Sequence, residues 1–357
     1  MAWSQSRFTV RRNEFGSLFE TMKHGGDLGA AIARHGGLAQ DWLDLSTGIN
    51  PHAYPLDWPL SQAAWTRLPA RGAHDRMLEV ARAAYGVPDH LRLVAAPGTQ
   101  ALLPHLPACL PAGDVAIVGP TYSSHGDVWR RAGRQVTEVT SPYFEPTHDT
   151  RVIVIVNPNN PDGRLVDPKS LRHHAETMAA RGGLLIVDEA FADCVPGASV
   201  LPHLGDVPVL VLRSFGKFYG LAGVRLGFAA APPGVAAALS ASLESWAVSG
   251  PAIEIGTRAL ADKSWQNAMR TQLADEAADL TLMLQMRGLS VFGGTPLYVL
   301  AGTRNAAAVH EALARQRIWT RTFDYAPTWL RIGLPGGAAP LAWLDDALAR
   351  ALSPATG

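Results

Sequence analysis

The residues with the clearest chemical meaning lie in the segment Ser214-Phe-Gly-Lys217-Phe-Tyr-Gly-Leu-Ala-Gly-Val-Arg225. An apolar run typical of a buried strand precedes it, so Lys217 is predicted at the carboxyl end of a strand, in an apolar and glycine-rich setting. Burial disfavours the charged ammonium, and a neutral amine is the form that makes a Schiff base with a carbonyl group. Ser214 and Arg225 add a hydroxyl and a cation that suit a phosphate group. The segment predicts an amine nucleophile beside a phosphate site.

Two other segments place chemical groups at the ends of predicted strands. Asp188 ends the apolar run Leu184-Leu-Ile-Val187 and is followed by Glu-Ala-Phe191. Gly98-Thr99-Gln100 stands where the predicted strand Leu91–Ala95 turns into a predicted helix, and free backbone N–H groups at such a turn suit an anion. Carboxyl ends of parallel strands share one edge of a sheet. We therefore expect Asp188 and Gly98 to lie on the same side of the molecule as Lys217.

The elements that would position these groups form an α/β pattern from about residue 90 to 230. Short runs rich in Val, Ile and Leu alternate with helical patterns such as Pro168 to Arg181, which favours a mostly parallel sheet buried on both faces. After residue 232 the pattern predicts one long helix from Pro251 to Arg287, then short strands and two helices in a smaller α+β domain. The predicted division is an N-terminal segment 1–50 that packs over a larger part, a large domain 51–240 and a small domain 241–357.

Composition excludes several classes of protein. The 357 residues include 31 Lys+Arg and 31 Asp+Glu, so the formal charge is zero, which argues against nucleic acid or an anionic membrane as the main partner. Apolar residues make up 47% of the chain, as expected of a globular protein, and no run approaches the roughly 20 residues that span a bilayer. Cys109 and Cys194 stand outside metal-binding spacings and are predicted to be thiols, which indicates a cytoplasmic location. The scattered histidines predict no metal site.

The segment around Lys217 resembles the lysine signature of the fold-type I pyridoxal-phosphate enzymes, the aminotransferase superfamily. This resemblance implies that Lys217 holds the cofactor, that Asp188 pairs with its pyridine nitrogen and that Asn160 hydrogen-bonds its phenolic oxygen. It further implies that Tyr122 stacks on the ring and that Arg331 clamps the substrate carboxylate. The cofactor phosphate would lie on five residues: Gly98, Thr99, Gln100, Ser214 and Arg225.

Two positions depart from the family pattern. Relatives usually carry Ser or Thr immediately before the lysine, where this chain has Gly216. Aminotransferases commonly have a tyrosine at the position of Phe191, where it donates a hydrogen bond to the phenolic oxygen. Phenylalanine has no such donor, so Asn160 is predicted to act alone.

The N-terminal third is similar to the threonine-phosphate decarboxylases of the cobalamin pathway, through His24-Gly-Gly-Asp27 and Trp42-Leu-Asp-Leu-Ser-Thr-Gly-Ile-Asn50-Pro. In this group Asn50 would lie over the active site near the substrate. A phosphorylated amino acid carries two anions, for which Arg321 and Arg331 are the predicted partners, helped by His24. The resemblance implies decarboxylation of L-threonine O-3-phosphate by a homodimer.

Other functions share much of this pattern. A histidinol-phosphate aminotransferase, or a related aminotransferase, would use nearly all of the same residues and differ in how the substrate is oriented. A non-catalytic sensor with this fold would carry an added helix-turn-helix domain and a basic arm, which the sequence does not predict. A docking protein with a decayed site would not bind the cofactor.

Overall fold

A computed structural model of the chain describes residues 25–353, in which helices and strands alternate over most of the length. The α-helices are α1 (Leu28–His35), α2 (Gln62–Thr66), α3 (Arg71–Tyr85), α4 (Leu106–Cys109), α5 (Ser123–Arg131), α6 (Pro168–Ala180), α7 (Phe215–Phe218), α8 (Pro233–Leu243), α9 (Gly250–Ala261), α10 (Lys263–Met286), α11 (Ala306–Ala314) and α12 (Ala338–Leu352). The strands are β1 (Leu43–Asp44), β2 (Arg92–Ala96), β3 (Asp114–Val118), β4 (Val136–Val139), β5 (Thr150–Val156), β6 (Leu184–Asp188), β7 (Val209–Ser214), β8 (Gly227–Ala231), β9 (Ser290–Thr295), β10 (Tyr298–Gly302), β11 (Ile318–Trp319), β12 (Arg321–Phe323) and β13 (Ala326–Gly333).

A seven-stranded sheet with the order β2-β8-β7-β6-β5-β3-β4 forms the larger part of the molecule. Strands β7, β6, β5, β3 and β4 are parallel, whereas β8 is antiparallel to both β2 and β7. Ile153 and Ile155 face one apolar core and Val152 and Val154 face another, so both faces of the sheet are covered. This explains the continuous apolar runs and confirms the predicted α/β fold. Strand β8 is absent from the sequence prediction because its Ala-rich composition favours a helix.

A four-stranded antiparallel sheet with the order β12-β13-β10-β9 forms the smaller part. The N-terminal segment is joined to it: β1 pairs in parallel with β11, and Leu45 accepts a backbone hydrogen bond of 2.8 Å from Gly333. The same segment then continues to the larger sheet, where the N–H of Asn50 donates to the carbonyl oxygen of Lys217 at 3.0 Å. The predicted domain boundaries at residues 50 and 240 stay predictions.

Asp262 divides the long helix that the sequence predicts between Pro251 and Arg287, so the prediction of one helix is wrong. Its Oδ1 accepts the backbone N–H of Trp265 at 3.0 Å, and its own backbone is not helical, with φ −85° and ψ 79°. An aspartate in this position caps a new helix, which here is α10. The hydroxyl of Tyr54 donates to the other carboxylate oxygen at 3.1 Å, which ties the N-terminal segment to the break.

The regular helix predicted after Gly98 is also absent. Thr99–Ala101 and Leu103–His105 form two 3-10 turns before the single turn of α4. Pro104 and Pro107 stand at the first or second position of these short elements, where the lack of an N–H is tolerated, but they interrupt any longer helix. The anion site at Gly98 must therefore depend on local groups and not on a long helix dipole.

An ionic cluster is buried beneath the strand ends. The guanidinium of Arg213 donates to Glu189 at 2.6 Å and to Asp193, and it lies 4.4 Å from the ring centre of Tyr85. Burial raises the pKa of Glu189, while the charge of Arg213 opposes that shift. Arg213 and Glu189 directly neighbour Ser214 and Asp188 in sequence, so the cluster fixes the two strand ends on the face opposite the site.

Arg213→Met is expected to lower the free energy of unfolding by about 3–5 kcal/mol, because it leaves two carboxylates buried without their cation. Urea unfolding of the purified protein measures this. The control is Arg172→Met, which breaks an ion pair of 2.7 Å between Arg172 and Glu176 whose side chains are both about half exposed. The control should lose less than about 1 kcal/mol. Equal losses in the two variants would contradict the expected difference.

Several features bear on the class of protein. Cys109 and Cys194 are free thiols. Across residues 25–353 the helices are all too short or too polar to cross a bilayer. The same part of the chain contains no group of three or more His, Cys, Asp or Glu side chains placed to hold a metal ion.

Candidate active site

A cavity of about 350 Å³ opens at the carboxyl ends of the parallel strands, between the large sheet and the β12–β13 hairpin. This is the expected place for a ligand in a sheet of this type. Of the residues predicted from the sequence, those that line the cavity are Gly98, Thr99, Gln100, Tyr122, Asn160, Asp188, Ser214, Lys217, Arg225, Arg321 and Arg331. Their assignments to cofactor or substrate stay predictions, but the structure brings these eleven side chains or backbone groups together.

Lys217 stands in α7, a single helical turn that begins directly after β7. Burial, together with the charge of Arg331, lowers the pKa of its amine to about 8, and the charge of Asp188 opposes the shift. The Nζ atom lies 5.7 Å from the ring centre of Phe191. An amine with this pKa is partly neutral near neutral pH, which is the state that a nucleophile needs.

Asp188 is held from two sides at the end of β6. Its Oδ2 lies 2.8 Å from Nε2 of His125, and its Oδ1 accepts the backbone N–H of Ala190 at 3.0 Å. The side chain of His125 is fully buried, and within the described residues its Nδ1 has no hydrogen-bond partner. Sequence reasoning missed His125. Its place in the first turn of the helix that follows β3, at the same sheet edge as Asp188, is the signal that would have indicated it.

Arg331 joins the deepest part of the cavity to the N-terminal segment. Its Nη1 donates to Oδ1 of Asn160, and its Nη2 donates to the carbonyl oxygen of Ser46 at 2.7 Å. Burial lowers the pKa of Arg331 to about 10, and Nε has no partner among the described residues. Because the amide oxygen of Asn160 is occupied, its Nδ2 is left as a donor. Arg331 keeps further N–H groups for a ligand anion.

A compact cradle for a small anion is formed around Gly98 in the same cavity. Gly98 has φ +83°, and a Cβ built on it would lie 2.6 Å from Nη2 of Arg225. Any side chain at Gly98 would therefore displace the guanidinium. The hydroxyls of Thr99 and Ser214 line the same cavity. A cation with two hydroxyls and a bare glycine backbone suits a phosphate monoester.

Aromatic and cationic side chains form the remaining walls. The hydroxyl of Tyr122 donates to Oε1 of Gln100 at 3.0 Å, and its ring lines the cavity. Arg321 is half-buried on the opposite hairpin, and burial lowers its pKa. Phe323 and Tyr325 also line the cavity and were not singled out from the sequence.

Two residues depart from the family pattern, Gly216 and Phe191. The structure explains the first and shows what the second packs against. A Cβ at Gly216 would lie 2.8 Å from the Cα of Ala222, so this backbone path excludes the Ser or Thr of relatives. Phe191 packs edge-on against Tyr298, with ring centres 5.1 Å apart. A Cβ at Gly48 would lie 2.9 Å from Phe191 and 2.7 Å from Tyr298, so these two rings leave no room for a side chain at Gly48.

Asn50 requires a correction. It does not line the cavity, because its Nδ2 donates to the carbonyl oxygen of Phe218 at 2.8 Å and its Oδ1 accepts the N–H of His52 at 2.8 Å. With its own N–H on Lys217, Asn50 holds α7 in place. His24, the other substrate contact predicted in the N-terminal segment, lies outside the described residues.

The residues present fit pyridoxal phosphate. Lys217 is a depressed-pKa amine, Asp188 is a fixed carboxylate for a ring nitrogen, and Asn160 offers an amide donor. Tyr122 offers an aromatic wall. The cradle around Gly98 and Arg225 provides for the phosphate.

Comparisons with known proteins agree with this geometry. The family model of aminotransferase class I and II matches residues 87–341. A threonine-phosphate decarboxylase from Sinorhizobium sp is 44% identical over 92% of this chain and 97% of its own length, and one from Pseudomonas aeruginosa is 40% identical over 92% and 97%. The crystal structure of histidinol-phosphate aminotransferase from Sinorhizobium meliloti in complex with pyridoxal-5'-phosphate has a TM-score of 0.74 at 20% identity and covers 98% of this chain and 99% of its own, which indicates a shared fold. The chain therefore belongs to the class I and II aminotransferase family.

Proposed function

We propose that this protein is a pyridoxal-phosphate-dependent decarboxylase that converts L-threonine O-3-phosphate to (R)-1-amino-2-propanol O-phosphate in cobalamin biosynthesis. The observation that carries the proposal is the sequence identity of 44% and 40%, over 92% of this chain, with two relatives named threonine-phosphate decarboxylase. The arrangement of the cavity supports it: one amine, one fixed carboxylate and two arginines on the same hairpin. These two arginines match the two anions of a phosphorylated amino acid.

Asp188 and His125 prepare the site for the cofactor. Pyridoxal phosphate, when bound, supplies a protonated ring that accepts the electron pair left by the departing carbon dioxide. The carboxylate of Asp188 keeps the proton on the ring nitrogen by electrostatic attraction. His125 holds that carboxylate at 2.8 Å, so it acts as a positioning residue.

Arg331, Arg321 and Lys217 act on the substrate. Arg331 would bind and orient the α-carboxylate of the substrate, and Arg321 would hold the substrate phosphate. The Cα–carboxylate bond breaks with its electron pair kept on the organic fragment. A proton from Nζ of Lys217 then bonds to Cα, and the product leaves as a phosphorylated amino alcohol.

The experiment that tests the proposal supplies the holoenzyme with L-threonine O-3-phosphate, with and without 2-oxoglutarate. We expect one carbon dioxide released per substrate consumed, without any acceptor and at the same rate when 2-oxoglutarate is added. L-Threonine without its phosphate is the control and should turn over far more slowly. Turnover that requires 2-oxoglutarate and yields glutamate would replace the decarboxylase with an aminotransferase.

We also propose that two copies of the chain associate. Trp65 and Trp246 are 68% and 62% exposed, and the segments that carry them adjoin, because a Cβ at Gly250 would lie 2.3 Å from the carbonyl oxygen of Ala64. Exposed tryptophans on adjoining segments are typical of an interaction surface. Sedimentation equilibrium should give twice the chain mass, and Trp65→Arg should give the chain mass. A monomeric wild-type protein would contradict the proposal. The cytoplasmic location stays a prediction.

A further inference from the structure

The hairpin of β12 and β13 presents a row of side chains to the cavity. Arg321 and Arg331 are cross-strand partners, so both stand on the same face of the hairpin. Phe323 follows two residues after Arg321, and the register places it opposite Ala326, which leaves Asp324 and Tyr325 as the turn. The hairpin therefore lines the cavity with its turn at one end and the buried Arg331 further along.

Tyr325 folds back from this turn onto the same row. Its ring centre lies 5.5 Å from that of Phe323 and 6.2 Å from that of Trp329. The side chain lines the cavity although the residue is 56% exposed, which places it at the cavity mouth. Two aromatic contacts restrict the ring, so the position of its hydroxyl is limited in advance of ligand binding.

The hydroxyl of Tyr325 is available to donate a hydrogen bond. No hydrogen bond joins it to another residue in the part of the chain that the structure describes. The charged groups that act on it are Arg321 and Arg331, which cannot accept a hydrogen bond, and the carboxylates of Asp162 and Glu138. Burial raises the pKa of Tyr325 to about 12, and the two arginines oppose that shift. The phenol is therefore protonated at neutral pH, and of the four charged groups that act on it the two arginines lower its pKa while Asp162 and Glu138 raise it.

A phosphate group makes use of such a donor better than a carboxylate does. A carboxylate has two oxygens, which one guanidinium saturates in the bidentate mode. A phosphate monoester has three terminal oxygens, so a single arginine leaves one of them for a neutral donor. Arg321 with Tyr325 supplies that combination at the cavity mouth, whereas Arg331 stands deeper, with Asn160 and Ser46.

We propose that Tyr325 is a specificity-determining residue whose hydroxyl donates a hydrogen bond to the substrate phosphate beside Arg321. The proposal rests on the proposed function and assigns one more contact to its substrate. Tyr325 selects phosphorylated over unphosphorylated substrate and takes no part in bond cleavage.

The test compares Tyr325→Phe with wild-type holoenzyme. The expected result is a fall in kcat/KM for L-threonine O-3-phosphate of about tenfold or more, carried by KM with kcat within about twofold, since a hydrogen bond to a charged group is lost. The inhibition constant of inorganic phosphate should rise by a similar factor, while the slow reaction of L-threonine should not change. The control is Tyr143→Phe, an exposed tyrosine away from the cavity, which should match the wild type.

Two outcomes would overturn the proposal: unchanged KM and phosphate inhibition in Tyr325→Phe, or an equal loss with L-threonine, which would make Tyr325 a general wall of the cavity. Failure of the proposed function can be told apart from failure of this proposal. If the wild-type protein releases no carbon dioxide, the role of Tyr325 can still be tested by phosphate binding. In that case the affinity for inorganic phosphate is measured from the change in cofactor absorbance. A weaker affinity in Tyr325→Phe then supports the phosphate contact.

Discussion

Lys217→Ala is expected to abolish turnover, by more than about 10⁴-fold, and to release the cofactor on gel filtration. The variant loses at once the amine that holds the cofactor and the group that returns a proton to the substrate. The loss should not come from unfolding, because the removed side chain is a buried amine whose lowered pKa shows that it is poorly solvated. Product formation and the visible absorbance of the bound cofactor are the two measurements.

Lys263→Ala is the matched control, because Lys263 is exposed at the start of α10. It should keep full activity and full cofactor content. Lys217→Arg adds a second comparison, since a guanidinium keeps the charge but is not a nucleophile. Residual turnover above about one part in 10³ in either Lys217 variant would contradict the assigned role.

The pKa of Lys217 gives a pH dependence with a defined sign. Burial lowers this pKa to about 8, so the reactive neutral amine is the minor form below pH 8 and the major form above it. The rate at which cofactor-free protein captures pyridoxal phosphate should therefore rise about tenfold per pH unit below 8 and level off above it. Stopped-flow absorbance measures this rate. A curve that keeps rising to pH 10 would indicate an amine with an ordinary pKa.

Asp188→Asn is expected to lower kcat on the order of 10³-fold, while the protein stays folded and still binds the cofactor. The amide cannot hold a proton on the ring nitrogen by charge, yet it keeps the shape of the carboxylate and an acceptor for the N–H of Ala190. His125→Phe should lower kcat by a smaller factor, because the carboxylate of Asp188 is still present and has lost only the side chain that holds it.

The control for this pair is Asp167→Asn, since Asp167 caps α6 at the surface and asparagine caps equally well. Turnover and thermal unfolding of the three variants separate a chemical effect from a structural one. An Asp188→Asn protein with wild-type kcat would show that the carboxylate does not act on the ring.

The sequence predicts the groups that stand at strand ends and fails where a contact joins distant segments. Lys217 and Asp188 follow buried strands, and parallel strands place their carboxyl ends together, so the cavity follows from pattern alone. His125 also follows a strand, but its role comes from a contact with a carboxylate 63 positions away, which the strand pattern does not show. The family resemblance predicts Asn50 near the substrate, whereas in the structure its side-chain amide is hydrogen-bonded to Phe218 and His52. The break at Asp262 depends on a cap that a helical periodicity does not show.

Residues 43–54 form a continuous segment that connects the small sheet to the helix that carries Lys217. At one end β1 pairs with β11, and the carbonyl oxygen of Ser46 accepts a hydrogen bond from Arg331. At the other end the backbone N–H groups of Asn50 and Tyr54 donate to the carbonyl oxygens of Lys217, in α7, and of Tyr219. A rotation of one sheet relative to the other would therefore strain the backbone hydrogen bonds that hold the helix carrying Lys217. Arg331 and the amine of Lys217 are therefore connected through this segment. A backbone cut or an insertion between Ser46 and Asn50 should uncouple substrate binding by Arg331 from the reaction at Lys217, even if both sheets stay folded.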